Sequence, residues 1–265
     1  MDHVSHFRRE VRAFEAAIRP ALLVEPVPMV PSCPAWSAAD LTVHLGGVHR
    51  YVSRILGRRL TTEPDPADLT IYGLPADLTG WPLPTAAPNR GAPPPLLADW
   101  FAEGADELAA LLGAADPAEP VWTWAPEQSA GFWLRIQTIE AAVHRWDAEG
   151  VFGTPAPVDA ELAADAVPQF FEVMAPARRA WRGSPPGAGE RYRLRRTDGP
   201  GCWTVCFDGA QVSVAAPEGG ACDLELAGTA SDLMLHLWRR GPADRLAATG
   251  DEALHARLFE LVPPE

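Results

Sequence analysis

The amino-acid sequence predicts a two-domain protein of mixed α and α/β class, with an N-terminal four-helix bundle followed by a small α+β domain. Four segments with helical spacing of apolar residues occupy the first part of the chain. After Gly150 the pattern changes to short alternating segments separated by Asp-Gly turns, which are typical of hairpins. We therefore expect one domain at residues 1–152 and another at 153–265.

The first two helices are indicated by apolar spacing and by a cap. Apolar residues recur every three or four positions from Val4 to about Ala21, which predicts an amphipathic helix. Ser37 with Asp40 three positions later resembles a capping box and predicts a second helix from Ala38 to Leu56. Residues 57–95 are rich in Pro, Gly, Thr and Asp, so we expect a long loop that flanks a pocket.

Two further helices complete the predicted bundle. The third runs from about Pro95 to Leu112 and carries a broad apolar stripe. The fourth begins near Ser129 and continues through Asp147. A bundle is the economical arrangement of four such helices, and bundles build metal sites from side chains on facing helices.

The second domain combines predicted strands and helices. A helix is expected from about Asp159, and others over Ala230–Arg239 and from about Asp251 to Phe259. Between them lie four strand candidates: "RYRLRRT", "CWTVCFD", "QVSVAAP" and "CDLELAG". Arginines fall mostly on alternate positions of the first candidate, which indicates a solvated strand face.

Charge and composition exclude several classes of partner. The formal net charge is -13, which argues against nucleic-acid binding because phosphates require clustered positive charge. We find no apolar run of about 18 residues and no secretory signal, so we expect a cytoplasmic protein that does not enter membranes. All 22 basic residues are arginine, which indicates a GC-rich coding sequence and hence a high-GC bacterial source. The four cysteines lack C-x-x-C spacing, which makes a thiolate zinc site improbable.

Glu140 and His144 form the candidate site. They lie four residues apart on the predicted fourth helix and therefore share one face of it, where they can form a salt bridge or half of a metal site. His44, on the second helix, can converge with them inside a bundle. Two imidazoles and one carboxylate suit zinc and leave a fourth coordination position open. His49 lies off the face of His44, and we expect it at the rim or surface.

Three pieces of the chain together resemble the maleylpyruvate isomerase family of mycothiol-dependent enzymes. They are "VPSCPAWSAADLTVHLGGVHRY", "LRIQTIEAAVHRWDAEG" and "LELAGTASDLMLHLWRRGPADRLAATGD". The resemblance implies a DinB-like metal-binding bundle followed by a sterol-carrier-like domain. It also implies a divalent metal, most often zinc, held by His44, Glu140 and His144.

The resemblance further implies a reaction and a thiol cofactor. Mycothiol would bind at the open metal position as a thiolate, add to the double bond of a small unsaturated or electrophilic acid, and leave after rotation about the bond. An S-transferase would instead keep the sulfur bonded to its electrophile. Arg240 falls where the family has a carboxylate-binding arginine, although Arg239 replaces the preceding glycine. Arg135 and Arg145 flank the metal helix and are candidates for binding a carboxylate of mycothiol or of the substrate, while Arg145 can equally pair with Asp147 or Glu149.

A non-enzymatic interpretation stays open on sequence alone. In this alternative the protein is a binding or regulatory protein, with a structural metal or none in its bundle and a C-terminal domain that holds an apolar ligand. Asp147 and Glu149 are expected to have structural or interdomain roles. Cys33 precedes the second helix and could be a nucleophile, but the family recruits an external thiol.

Overall fold

Helices build the first half of the chain and a sheet organises the second. The computed structural model describes residues 1–65, 68–215 and 221–264. Two compact units comprise Met1–Ala156 and Pro157–Glu265. The predicted fold class is confirmed, because a helical unit precedes a unit that contains a sheet. The units meet in sequence after Ala156, whereas the sequence analysis places the domain boundary after residue 152.

The first unit is a bundle of long helices. Its described helices are α1 (His3–Ala21), α2 (Ala38–Arg58), α3 (Leu97–Ala114) and α4 (Ala130–Glu149). Helix α1 packs most extensively against α4, and α2 against α3. The apolar stripes predicted from the sequence meet in the core, where the side chains of Phe7, Phe14, Leu45 and Phe101 are fully buried.

The capping box predicted for the second helix is present. The Asp40 backbone N–H donates to Ser37 Oγ at 3.2 Å, and the Ser37 backbone N–H donates to Asp40 Oδ2 at 2.8 Å. These bonds satisfy donors that the first turn of a helix leaves unpaired. Asp40 also accepts from the Asn89 backbone N–H at 2.9 Å. The long loop is thereby fastened to the start of α2.

A short hairpin precedes α2, where the sequence analysis describes only a proline-stiffened loop. Strand β1 (Met29–Val30) pairs antiparallel with β2 (Cys33–Ser37). Prolines interrupt the strand pattern here, and strands of two to five residues are too short to show a clear alternation of polar and apolar residues. The hairpin nevertheless sets the position of Ser32 and Cys33, which contact α4.

A mixed five-stranded sheet forms the second unit. Its strands are β3 (Gly187–Arg196), β4 (Cys202–Gly209), β5 (Gln211–Ala215), β6 (Leu224–Gly228) and β7 (Ala247–Gly250). Their order is β5-β4-β3-β6-β7, with β3 and β6 parallel and the other neighbours antiparallel. The last two residues of the third strand candidate, 216 and 217, lie outside the described residues.

The second unit also contains helices before, between and after these strands in the chain. They are α5 (Ala160–Gln169), α6 (Ala175–Arg182), α7 (Ala230–Leu237) and α8 (Ala253–Leu261), with a π-helical turn over Phe170–Met174 between α5 and α6. Tyr192 and Leu194 are fully buried on one face of β3. Arg193 and Arg195 alternate with them and reach Glu225 at 3.7 and 2.8 Å, which confirms the predicted solvated face.

The turn after α7 keeps a backbone conformation that normally favours glycine. Arg239 has φ +58°, in the left-handed region. Its guanidinium lies 4.4 Å from the centroid of the Phe259 ring and donates to Phe259 O at 2.9 Å. Arg239, at the position where the family resemblance implies a glycine, therefore adopts the left-handed backbone conformation and contacts α8.

His49 is buried, and the prediction of a rim or surface position is wrong. Its exposed fraction is 0%, and its ring lies 5.3 Å from that of Phe7 and 5.5 Å from that of Phe101. The side of α2 opposite His44 packs into the bundle, so a residue off the His44 face is not thereby at the surface. Burial lowers the pKa of His49 to about 3, although the Glu140 charge acts in the opposite direction.

Gly46 should tolerate no side chain, because a Cβ there would lie 2.3 Å from an atom of the Trp100 ring. We expect Gly46→Ala to lower the free energy of unfolding by about 1–3 kcal/mol through overpacking. The matched control is Gly47→Ala, whose Cβ would meet Tyr72 at an ordinary 3.6 Å. We expect that change to be neutral or to stabilise α2 by up to about 1 kcal/mol. Urea unfolding of both variants is the measurement, and equal effects would contradict the predicted clash.

His49 should make stability depend on pH. Its folded pKa is about 3, below the ordinary 6.5, so the unfolded chain takes up the proton first. Stability is therefore highest above pH 6.5 and falls as the pH drops from there towards 3, by up to about 1.4 kcal/mol per pH unit. Unfolding free energies of the wild type and His49→Leu, compared from pH 7 to 4, test this. A wild-type-minus-variant difference that stays constant would contradict it.

Candidate metal centre

Helix α4 places two potential ligands on one face. Ser129 caps the helix by accepting from the Phe132 backbone N–H at 3.1 Å, and the apolar residues that follow bury most of its surface. Glu140 and His144 project from successive turns, as their spacing predicts. The His144 side chain is only 8% exposed, whereas that of Glu140 is 27% exposed.

Helix α2 brings His44 to the same place. His44 Nε2 lies 3.6 Å from Glu140 Oε1, and His144 Nε2 lies 4.0 Å from that oxygen. The donor atoms of all three residues lie within 4.8 Å of one another. Within the described part of the chain, this is one group of three or more His, Cys, Asp or Glu side chains that could hold a metal ion. The structure thus brings together the three predicted ligands.

The spacing of these donors fits a divalent ion with only small movements. Bonds of about 2.0–2.1 Å to zinc in a tetrahedral site place neighbouring donors about 3.3–3.4 Å apart. The distances from Glu140 Oε1 to His44 Nε2 and to His144 Nε2, 3.6 and 4.0 Å, exceed this by about 0.2–0.3 and 0.6–0.7 Å. Nitrogen and carboxylate donors of this kind suit zinc as well as several other divalent metals.

Asp147 fixes the orientation of the His144 ring. His144 Nδ1 lies 2.9 Å from Asp147 Oδ2, and the Asp147 side chain is completely buried. An ionised carboxylate only accepts hydrogen bonds, so Nδ1 carries the proton and Nε2 presents its lone pair to the cluster. Carboxylates commonly hold metal-binding histidines in this way.

The hairpin also reaches this carboxylate. Ser32 Oγ donates to Asp147 Oδ1 at 2.5 Å, and Cys33 Sγ lies 3.7 Å from Asp147 Oδ2. Asp147 is therefore shared between the β1–β2 turn and the His144 ring. These contacts place Cys33 beside the carboxylate that supports His144.

The local charges keep Glu140 in its ionised form. Burial alone would raise the pKa of the Glu140 carboxyl, but the neighbouring His44 and His144 imidazoles hold that pKa below its ordinary value. An ionised carboxylate is the form that binds cations. The Gln137 amide supports it further, because Gln137 Nε2 donates to Glu140 Oε2 at 3.0 Å.

Aromatic side chains lie on the face of α2 that carries His44. The Trp36 ring lies 4.7 Å from the His44 ring, centroid to centroid. Two turns along α2 on the same face, Tyr51 contacts Tyr72 from the long loop and Trp122 from the segment before α4. Part of the long loop therefore lies on the same side of α2 as His44.

Arg145 is held inside the bundle by acidic partners. Its side chain is 4% exposed, and its Nε donates to Glu10 Oε2 at 2.9 Å. Its Nη1 donates to Glu149 Oε2 and to Ala156 O, both at 2.7 Å. The pairing with Glu149 agrees with one of the two roles that the sequence leaves open, and it favours a structural role for this arginine.

The other two predicted arginines have local contacts of their own. Arg135 is nine residues before His144, which is about 13–14 Å along a helix, and it lines a surface depression beside the N-terminal residues Met1–Val4. Arg240 belongs to the second unit, where its Nη1 donates to Trp238 O at 2.9 Å and its backbone N–H to Leu235 O at 2.7 Å. The binding roles of both residues stay predictions.

The sequence analysis misses Gln137, and it names Asp147 only for a structural or interdomain role and not as the partner of His144. Both had a usable signal, because Gln137 lies three residues before Glu140 and Asp147 three residues after His144. On a helix such spacings place each side chain beside the ligand that it supports. The pattern Q-x-x-E-x-x-x-H-x-x-D is more informative than the Glu and His alone.

Comparison with known proteins gives matches over both units. Residues 4–149 match the family described as the mycothiol maleylpyruvate isomerase N-terminal domain, and residues 161–257 match the MDMPI C-terminal domain. Two similar solved structures are crystal structures of the mycothiol-dependent maleylpyruvate isomerase and of a mutant in which a histidine is replaced by alanine. No curated protein matches the chain.

The two solved structures share the fold with little sequence identity. The wild-type structure is 12% identical with a TM-score of 0.60, and the mutant is 13% identical with a TM-score of 0.61. Each comparison covers 94% of this chain and 92% of the solved chain. No described helix is long and apolar enough to cross a membrane.

The Arg145–Glu10 pair should be important for stability. We expect Glu10→Ala to lower the free energy of unfolding by about 1–3 kcal/mol, because the buried Arg145 Nε loses its acceptor while Nη1 keeps Glu149 and Ala156 O. The matched control on the same helix is Glu15→Ala, which breaks the more exposed pair with Arg19 and should cost about 0–1 kcal/mol. Chemical unfolding measures both variants. If the two substitutions cost the same, Arg145 is not held in the way that its contacts indicate.

Proposed function

The chain belongs to the mycothiol maleylpyruvate isomerase family, and from that premise we propose that it is a metal-dependent enzyme that uses mycothiol as its thiol cofactor. The reaction we propose is cis–trans isomerisation of a small unsaturated acid through reversible addition of the thiol. The observation that carries the proposal is the convergence of His44, Glu140 and His144 together with the support of His144 by Asp147.

His44, Glu140 and His144 would hold the ion, and zinc is the ion that this donor set suits. A divalent ion bound there lowers the pKa of a bound thiol and keeps it available as a thiolate near neutral pH. The residues present three donors from two helices and leave a tetrahedral site one position short. This arrangement is typical of catalytic rather than structural zinc, because a structural site closes with four protein ligands.

Neighbouring side chains orient two of these donors, and the charge of the third favours a cation. Asp147 holds His144 with its Nε2 lone pair towards the cluster, so no tautomer change is required when a cation binds. The negative charge of Glu140 offsets part of the dipositive charge of the ion. The Trp36 ring packs against the His44 ring at an angle of 45° and limits the space in which that ring can rotate.

We also propose that Arg240 binds the carboxylate of the acid substrate. Arg240 falls where the family resemblance implies a carboxylate-binding arginine, which supports this role. The bond from Arg240 Nη1 to Trp238 O holds the guanidinium close to the turn. A planar guanidinium can bind a carboxylate through two parallel hydrogen bonds.

The metal content of the purified protein tests the proposal. We expect about one zinc per chain by inductively coupled plasma mass spectrometry, and His44→Ala or Glu140→Ala should abolish it. Asp147→Ala should weaken zinc binding by about 10–100-fold while it leaves the ligands in place. His6→Ala, which changes a histidine on α1 that contacts Arg9, is the control and should keep the zinc.

Titration of the zinc protein with mycothiol completes this test. We expect mycothiol to bind the metal-loaded wild type and not the Glu140→Ala protein. Arg240→Ala should keep both zinc and mycothiol binding but raise the KM for the acid substrate. No metal in the wild type, even after reconstitution, would reject the proposed enzyme.

A further inference from the structure

Gln137 is a buried amide in contact with one of the ligands. Its side chain is almost fully buried, with 1% of the residue exposed, one turn before Glu140 on α4. Its Nε2 donates to Glu140 Oε2 at 3.0 Å. None of the proposed catalytic steps uses this residue.

The chemistry of the pair determines how the amide is turned. An ionised carboxylate has only acceptor atoms, so the amide must present its N–H₂ group to Glu140. Gln137 Oε1 then points the other way. It is buried and accepts no hydrogen bond from any of the residues that the structure describes. A buried acceptor without a donor lowers the free energy of unfolding, so the Gln137 amide destabilises the fold to some extent.

The amide makes the two oxygens of Glu140 unequal. Oε2 accepts from Gln137, while Oε1 is the atom that lies 3.6 Å from His44 Nε2 and 4.0 Å from His144 Nε2. Carboxylates can bind a cation through one oxygen or through both. A second bond from Glu140 would occupy the position that a tetrahedral site with three protein ligands leaves open.

We propose that Gln137 is a positioning residue that restricts Glu140 to binding the metal through Oε1 alone, and so keeps one coordination position open for a thiol. The inference rests on the proposed function, because it requires the metal. It goes beyond it by assigning the selection of one carboxylate oxygen to a residue that is not a ligand.

Gln137→Met tests the inference, because methionine has nearly the same length and shape but no N–H donor. We expect the variant to keep one equivalent of zinc, since all three ligands remain. Glu140 is then able to bind through both oxygens. The affinity for mycothiol should therefore fall about tenfold or more, in the range that residues behind metal ligands usually contribute.

Cobalt(II) reports the coordination number without any measurement of activity. Cobalt in a four-coordinate site absorbs visible light more strongly than in five- or six-coordinate sites, so geometry can be read from the spectrum. We expect the cobalt-loaded wild type to give the intense spectrum and cobalt-loaded Gln137→Met the weaker one. Gln137→Leu should behave like Gln137→Met, which provides a second variant if the first folds poorly.

Gln169→Met is the matched control. Gln169 is also 1% exposed and its buried Oε1 also has no hydrogen-bond partner among the described residues, but it lies in the second unit. Its substitution reproduces the general effect of removing a buried amide. We expect the cobalt spectrum and the mycothiol affinity of Gln169→Met to equal those of the wild type.

The possible outcomes separate the two proposals. A weaker cobalt spectrum and a lower mycothiol affinity in both Gln137 variants, with Gln169→Met unchanged, support the inference. Zinc, cobalt spectrum and mycothiol affinity that are unchanged in the Gln137 variants overturn it and leave the proposed function intact. A wild type that binds no metal rejects the proposed function itself, and the role of Gln137 with it.

Discussion

The buried Asp147 carboxylate is the constraint on which the site depends. A fully buried negative charge is stable only when every nearby donor points towards it, and here the donors come from different parts of the chain. Ser32 and Cys33 come from the hairpin before α2, and the His144 ring comes from α4 itself. The hydrogen bonds to Asp147 thus fix both the position of the hairpin and the orientation of the His144 ring.

Much of the fold follows from local pattern. The helices of the bundle are predictable because apolar spacing and capping act within a few residues, as the Ser37–Asp40 box shows. The β1–β2 hairpin is not predictable in this way, because its strands are too short for alternation and its sequence is rich in proline. It is maintained by contacts to residues more than a hundred positions away, such as that between Ser32 and Asp147.

The candidate site likewise combines features that local sequence pattern predicts with contacts between residues far apart in the chain. The spacing of Glu140 and His144 predicts a shared helix face, and the family resemblance predicts the partner helix that carries His44. The buried pair of Arg145 with Glu10 joins residues 135 positions apart, so nothing near Arg145 in the sequence indicates it. The prediction for His49 is wrong for a related reason. The sequence gives the angle of His49 around α2, but it does not tell which side of α2 another helix covers.

The division of the donors between two helices has a thermodynamic consequence. Glu140 and His144 share α4 and remain neighbours in any state in which that helix is formed, whereas His44 joins them only when α2 and α4 are packed. An ion bound by all three is therefore a reversible cross-link of the bundle, whose strength depends on the effective concentration of His44 at the α4 pair. By mass action, the free energy of metal binding is added to the free energy of helix packing. An ion bound by all three residues would therefore raise the free energy of unfolding of the bundle.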